Sequence, residues 1–312
     1  MKRLIALGCL AGSLLAHDVI GWIPPYRLAA SRQALIHKAG SVTADQWLSR
    51  LGLQFWILGP DGGLAYSERG ERITDVDVAH FRQWAQARGV KVLLTVYNHD
   101  GKIWDWPRAR SAFALHRDAL VTSLVNEMTR LRLDGIDLDL EGEGTLDADR
   151  EAYGAFVSAL SAAVHAKGKL LTIDSFHSPC FNAPNMAWWS DWKGQVDAIH
   201  SMGYGDLYEA NASSFTPEGG QPCAGGAAIF RFSWQVDWAK AKGYQPSQLL
   251  LGVPGWQYEW GGSTLPRHLQ DLAKVGAGCA VWDIPSLLGD GKDTRWSSEE
   301  AWKALAAFKQ AR

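Results

Sequence analysis

The chain has 312 residues, 47 % hydrophobic and 21 % charged, a composition that suits one large globular domain, or at most two, and excludes a disordered tail or a fibre. Its 31 Lys and Arg nearly balance 33 Asp and Glu, for a net charge of −2. It therefore offers no basic footprint for nucleic acid or for an anionic membrane surface.

In chain order, Met1, Lys2 and Arg3 precede an apolar run from Leu4 to Ala16. That run is too short to span a bilayer but has the charge-then-apolar plan of a secretory signal. Cleavage after Ala16 is expected, leaving residues 17–312 as one domain outside the cytoplasm, secreted or periplasmic. Cys9 departs with the signal, and a lipid anchor there is the weaker reading because it follows Arg3 so closely. Cys180 and Cys223 fall in loop-like stretches and are disulfide candidates in an oxidising compartment. Cys279, inside the apolar run Gly278 to Ile284, reads as a buried free thiol. These cysteines form no metal-ligand set, and no Cys and His spacing resembles a zinc site, so neither a metal nor a cofactor is expected.

Eight short apolar, β-rich runs recur with helical segments between them: Val19 to Ile23, Leu53 to Leu58, Lys91 to Tyr97, Gly135 to Leu140, Leu170 to Ser175, Val196 to Met202, Leu249 to Val253, and Cys279 to Asp283. The repeat predicts an α/β fold with a parallel sheet, and eight units in about 300 residues fit a single (β/α)8 TIM barrel. Thr74 can cap a helix over Asp75 to Arg88 whose Val78, Phe81 and Ala85 share one face. Asp147 to Lys167 repeats the plan with Tyr153, Phe156, Val157, Leu160 and Val164, stopped by Gly168. Ser298 to Lys309 closes the ring. The Gly-, Ser- and Pro-rich stretch Gly203 to Ala228 predicts a long loop over one face.

The fourth run carries the chemistry. From Ile136 to Glu141 apolar and acidic residues alternate strictly, and side chains two apart share one side of a strand. Asp137, Asp139 and Glu141 therefore point into the barrel together, roughly 6 to 7 Å apart, while Ile136, Leu138 and Leu140 face the helices. Stacked carboxylates in a barrel interior destabilise the fold unless some are protonated or hydrogen-bonded, and their titrations couple. Glu141, last on the strand and nearest the open face, is the natural proton donor, with its pKa raised by the carboxylates beneath it.

Asp134-x-x-Asp137-x-Asp139-x-Glu141 resembles the signature of glycoside hydrolase family 18, the chitinase family, whose members carry it on the fourth strand of a (β/α)8 barrel. Met202-Gly203-Tyr204 is similar to that family's Met-x-Tyr element, Leu251-Gly252-Val253-Pro254 to its seventh strand, and Trp282 to the Trp beneath its reactive sugar. Two departures stand out. The third strand reads Leu94-Thr95-Val96-Tyr97-Asn98 in place of Ser-x-Gly-Gly, and Gly205 separates Tyr204 from Asp206.

The resemblance implies a secreted retaining endo-glycosidase acting on β-1,4-linked N-acetylglucosamine by substrate-assisted catalysis, with chitin, peptidoglycan and the chitobiose core of N-glycans all open as substrates. Glu141 would be the acid, Asp139 would orient the acetamido nitrogen, Tyr204 would bind the acetamido oxygen, Asp137 would share a proton with Asp139, and Asp134 would support the strand end. Trp282, Met202, Trp22, Tyr97, Asn98, Trp256 and Asp206 are the expected sugar contacts. His99, Asp100, Asp174 and His177 are further polar candidates at strand ends. The expected partner is an N-acetylglucosamine-containing polysaccharide or oligosaccharide bound by a monomer. Two alternatives compete: a metal-dependent phosphodiesterase barrel, since clustered carboxylates also bind Mg²⁺ or Ca²⁺, and a non-catalytic sugar-binding barrel.

The chain's 16 Trp are sorted by the same scheme. Trp47, Trp84 and Trp302 fall in helical segments. Trp22, Trp104, Trp106, Trp256 and Trp282 fall at or after strand ends, where indole faces could stack on sugars. Trp188, Trp189 and Trp192 either extend that surface or pack within the barrel wall.

Overall fold

In the computed structural model, residues 17–179, 182–204, 232–260, 262–288 and 298–311 are described. The first strand, β1 (Val19–Ile23), starts two residues after His17, whose ring Nδ1 lies 3.0 Å from the Ala277 carbonyl oxygen. It is followed by β2 (Arg50–Leu58), β3 (Lys91–Tyr97), β4 (Gly135–Asp139), β5 (Leu170–Ser175), β6 (Ala198–Ser201), β7 (Leu249–Pro254) and β8 (Gly278–Trp282). Each pairs in parallel with the next, and β8 pairs with β1, which closes an eight-stranded barrel. A short strand, Leu64–Tyr66, adds antiparallel to the outer end of β2. Among the described residues no helix is long and apolar enough to cross a membrane.

Strand alternation divides the buried residues into two sets. Outward side chains such as Leu94, Ile136, Leu138, Leu171 and Ile173 form the large core between barrel and helices. Inside the barrel, Ile20, Leu93, Ala198, Leu250 and Ala280 make an apolar plug around Trp22. Above the plug the inward positions turn polar. The register sets Thr95, Asp137 and Thr172 side by side, then Tyr97 beside Asp139, and Asp174 beside His200. Gly52 makes room for this layer, since a Cβ there would lie 2.3 Å from the Trp22 ring and 2.9 Å from Thr95 Oγ1.

The helices form where the periodicity places them. Asp75–Gln86 begins with a reciprocal Thr74 and Asp77 capping box and buries Val78, Phe81, Trp84 and Ala85. Arg150–His165 follows a short 3-10 turn and buries Tyr153, Phe156, Val157, Leu160 and Val164. Gly168 then takes φ +63°, where a side chain would be strained. Ser298–Gln310 packs on the helix Leu265–Val275. Trp47, Trp84 and Trp302 are core residues, and so are Trp188, Trp189 and Trp192, which do not extend the active face. Cys279 is buried with a free thiol, as its apolar run implies. Cys180, Cys223, Asp206, residues 1–16 and most of the loop expected over Gly203 to Ala228 lie outside the described residues.

Candidate active site

A cavity of about 430 Å³ opens at the C-terminal end of the barrel, the end at which barrels of this class place their chemistry. Asp139 and Glu141 reach it from β4 and the residues just beyond. Met202, Tyr204, Trp256 and Trp282 enclose the other side. Tyr204 lies edge-on to Trp256, with ring centroids 6.3 Å apart, and tilted against Trp282 at 6.4 Å. Three of the expected sugar contacts, Met202, Trp256 and Trp282, thus share one surface with Tyr204 and the two acids. Tyr26, Gln54, Arg69, His99, Trp104, Asp174 and Phe176 complete the lining.

Asp137 lies beneath the cavity and is fully buried. Trp22 Nε1 and Thr95 Oγ1 donate to its Oδ2 at 2.9 and 3.0 Å. Thr172 Oγ1 donates to Oδ1 at 2.5 Å, and His200 Nδ1 stands 3.2 Å from the same oxygen and 3.0 Å from Asp174 Oδ1. Burial alone would raise the pKa of Asp137, but His200, Thr172 and Trp22 overcome it and hold the carboxyl below its usual range. Asp137, Asp174 and His200 are also the one grouping of metal-type ligands among the described residues. These donors already engage the Asp137 lone pairs that a cation would take.

Asp139 behaves differently. Gln54 Nε2 donates to its Oδ2 at 2.6 Å, and a hydrogen bond joins it to Glu141. Burial pushes its pKa up to about 7, with the Asp137 charge adding to the rise. Burial first, and then the charge of Asp139, raise Glu141 well above the usual range, which keeps a proton on the pair near neutrality. The expectation that Asp137 shares its proton with Asp139 is therefore corrected: Asp139 bonds upward to Glu141, while the lower layer satisfies Asp137. Asp174 is held well above its usual range by burial and by Asp137. Burial likewise raises the Tyr204 phenol, which stays a neutral donor.

Several expected sugar contacts have other work. Trp22 is 1 % exposed and lies in the plug, so it cannot stack on a ligand. Tyr97 is fully buried, with its hydroxyl 2.5 Å from Ser67 Oγ. Asn98 is fully buried and holds Glu141 by the backbone, donating from Nδ2 to the Glu141 carbonyl and accepting the Glu141 N–H at Oδ1, both at 2.8 Å. Trp106 turns away from the cavity, donates to Asp149 Oδ2 at 2.8 Å and packs against Phe113 and Tyr153. Asp283 accepts from the Ser286 N–H at 2.9 Å and caps the short helix Ile284–Leu288. Asp134 ties the strand bases together by accepting the Val92 N–H at 3.0 Å.

Sequence reasoning missed Gln54, Thr95, Thr172, His200, Tyr26, Arg69 and Phe176. The first four shared a readable signal, a polar residue at an inward position of an otherwise apolar strand. Gln54 is further displaced by a bulge, where the register with β3 shifts between Leu53 and Trp56, and such bulges re-aim side chains beside sites.

Solved structures share this architecture. A chitinase from Chromobacterium violaceum superposes with a TM-score of 0.66 at 16 % identity, covering 95 % of this chain and 100 % of that one. A chitinase from Bacteroides thetaiotaomicron gives 0.66 at 16 %, covering 95 % and 97 %. The spore cortex-lytic enzyme SleL of Bacillus cereus gives 0.63 at 12 %, covering 93 % and 74 %. At these identities the likeness is one of fold. No curated protein sequence matches significantly. The family model described as glycosyl hydrolases family 18 matches residues 46–306, which contain the acidic strand, Tyr204 and Trp282, and the chain belongs to that family.

Proposed function

We propose that the chain is a secreted, retaining endo-glycosidase that cleaves β-1,4-linked N-acetylglucosamine oligomers, with Glu141 as general acid and then base. The observation that carries this reading is the hydrogen-bonded Asp139 and Glu141 pair, which keeps a proton near neutrality and shares one cavity with Tyr204 and Trp282. A glycosidase needs a donor at the leaving oxygen and a stabiliser for an oxocarbenium-like transition state, and family 18 recruits the substrate's acetamido group in place of a protein nucleophile.

Each residue then has a step. The Glu141 proton passes to the glycosidic oxygen as the C1–O bond breaks, its electron pair leaving with the departing sugar. The acetamido carbonyl oxygen of the sugar over Trp282 closes on C1, and the Tyr204 hydroxyl donates to that group. Asp139, no longer sharing the Glu141 proton, faces the acetamido N–H as positive charge develops there. Water then attacks C1 as the bond from C1 to the acetamido oxygen breaks and its electron pair returns to the acetamido group, Glu141 takes the water's proton, and the configuration is retained.

Glu141→Gln should lower hydrolysis of chitotetraose by about 10³-fold or more without lowering the thermal unfolding midpoint, and NMR of the wild-type reaction should show the β-anomer first. An active variant would remove Glu141 from this role. Export rests on the segment before His17, and mass spectrometry of the exported protein should find His17 as its first residue.

A further inference from the structure

One end of the cavity carries a charge that the proposed reaction does not use. Arg69, half-buried just beyond the strand Leu64–Tyr66, lines this end together with Tyr26, His99 and Trp104. Its backbone N–H donates to Ser67 Oγ at 3.1 Å, and that oxygen is bonded to the Tyr97 hydroxyl. The Arg69 side chain bonds to the same hydroxyl, and its guanidinium lies over the Tyr26 ring, 5.1 Å from the centroid. All of these partners are neutral.

Among the described residues no carboxylate forms an ion pair with Arg69, whereas Arg27 nearby is matched by Asp283 at 3.4 Å. The one charge that the Asp139 and Glu141 pair keeps is engaged by Gln54 and by the proton the two share, and among the described residues neither acid forms an ion pair with Arg69. His99 accepts the Gly101 N–H at Nδ1, 2.9 Å away, so in its neutral form Nε2 carries the proton and is a second donor at this end. Tyr97 pairs in register with Asp139, so a single side chain separates Arg69 from the reacting pair. A guanidinium oriented by neutral groups, with N–H bonds to spare, suits a carboxylate in geometry and charge. A neutral polymer gives it no counter-charge.

We propose that this end of the cavity is a subsite for a carboxylate-bearing sugar, so that the preferred substrate is a strand in which N-acetylhexosamine alternates with an acidic sugar and Arg69 receives the acid. The proposal rests on the glycosidase reading and narrows it. Two sources supply this chemistry: the lactyl ether of a wall glycan stripped of its peptides, and a uronic acid of a glycosaminoglycan.

Calorimetry on the full mature chain carrying Glu141→Gln tests binding apart from turnover. The ligands are chitotetraose, a tetrasaccharide of alternating N-acetylglucosamine and N-acetylmuramic acid, and one of alternating N-acetylglucosamine and glucuronic acid. At least one acidic strand should bind about tenfold or more tighter than chitotetraose, the range of a charge-assisted hydrogen bond. Adding Arg69→Gln should bring that ratio close to one, and Arg69→Lys should keep part of it. In the Glu141→Gln protein, raising the salt should shrink the preference. Equal or tighter binding of chitotetraose, or a preference that survives Arg69→Gln, overturns the proposal. Hydrolysis by the wild-type chain decides the glycosidase reading separately, because a protein that selects acidic strands through Arg69 but cleaves none keeps this subsite and loses that activity.

Discussion

Trp22 and Trp256 have the same side chain and, from their positions at strand ends, the same expected use, yet their surroundings divide them. The Trp22 indole N–H points down onto the buried Asp137 carboxylate at 2.9 Å. Trp256 is 43 % exposed at the rim of the cavity. A hydrogen bond to an ionised group contributes about 1.5 to 3 kcal/mol, and replacing the indole with a smaller ring in the plug leaves a cavity as well. Trp22→Phe should therefore cost about 2 to 4 kcal/mol in urea unfolding and lower kcat through the weakened charge on Asp137, with KM little changed. Trp256→Ala should leave the urea midpoint unmoved and raise KM for a chito-oligosaccharide, since only a stacking face is lost. The two variants read out opposite quantities, so a Trp22→Phe protein with normal stability and a raised KM would return Trp22 to the sugar surface.

At the scale of elements, β4 shows how the sequence pattern and the site part company. Alternation over Ile136 to Glu141 predicts a strand running to Leu140, but ladder pairing stops at Asp139. The Asn98 amide then takes the place of a neighbouring strand, meeting both the N–H and the C=O of Glu141. Asn98→Ala should remove both bonds, cost about 1 to 3 kcal/mol, and lower kcat by tenfold or more with a smaller change in KM. Steady-state kinetics alongside urea unfolding would show whether the loss is positional. The barrel itself was legible because parallel strands buried on both faces announce themselves as apolar runs; five of the eight expected runs differ from the strands by one to a few residues at their ends, and β1, β3 and β5 match. The acidic residues were legible from period two. Gln54 was hidden by a bulge that breaks that period, and His200 by the need to know which strand stands beside β5. Arg69 sits in a connection, where no periodicity speaks. Trp106 was misplaced because a position after a strand says nothing of whether the side chain rises into the cleft or folds back onto Asp149 and Tyr153.

For the whole molecule, the same carboxyls that would serve catalysis set how stability responds to pH. Asp139 binds its proton with a pKa of about 7 in the folded chain, against an ordinary value of 3.8, chiefly because it is buried. Glu141 and Asp174 are shifted in the same direction. Between pH 4 and 7 the folded chain therefore holds more protons than the unfolded chain, and stability falls as pH rises. For Asp139 alone, at 1.36 kcal/mol per pKa step, the fall is on the order of 4 kcal/mol. Asp137, and Asp75 with its pKa lowered to about 2 chiefly by the Arg130 hydrogen bond, act in the opposite sense. Their contributions are complete above the unfolded carboxylate range and are lost as pH drops through the folded values. The two sets together place the stability maximum on the acid side of neutrality, near the bottom of the window in which Glu141 keeps its proton. Urea unfolding should give a higher midpoint at pH 5 than at pH 8. Asp139→Asn removes one contribution to that slope and should flatten it, raising stability at pH 8 while hydrolysis collapses. A wild-type midpoint that rises from pH 5 to pH 8 would mean that the carboxyl pair over β4 is ionised in the folded chain, and with it would go the proton that Glu141 has to give.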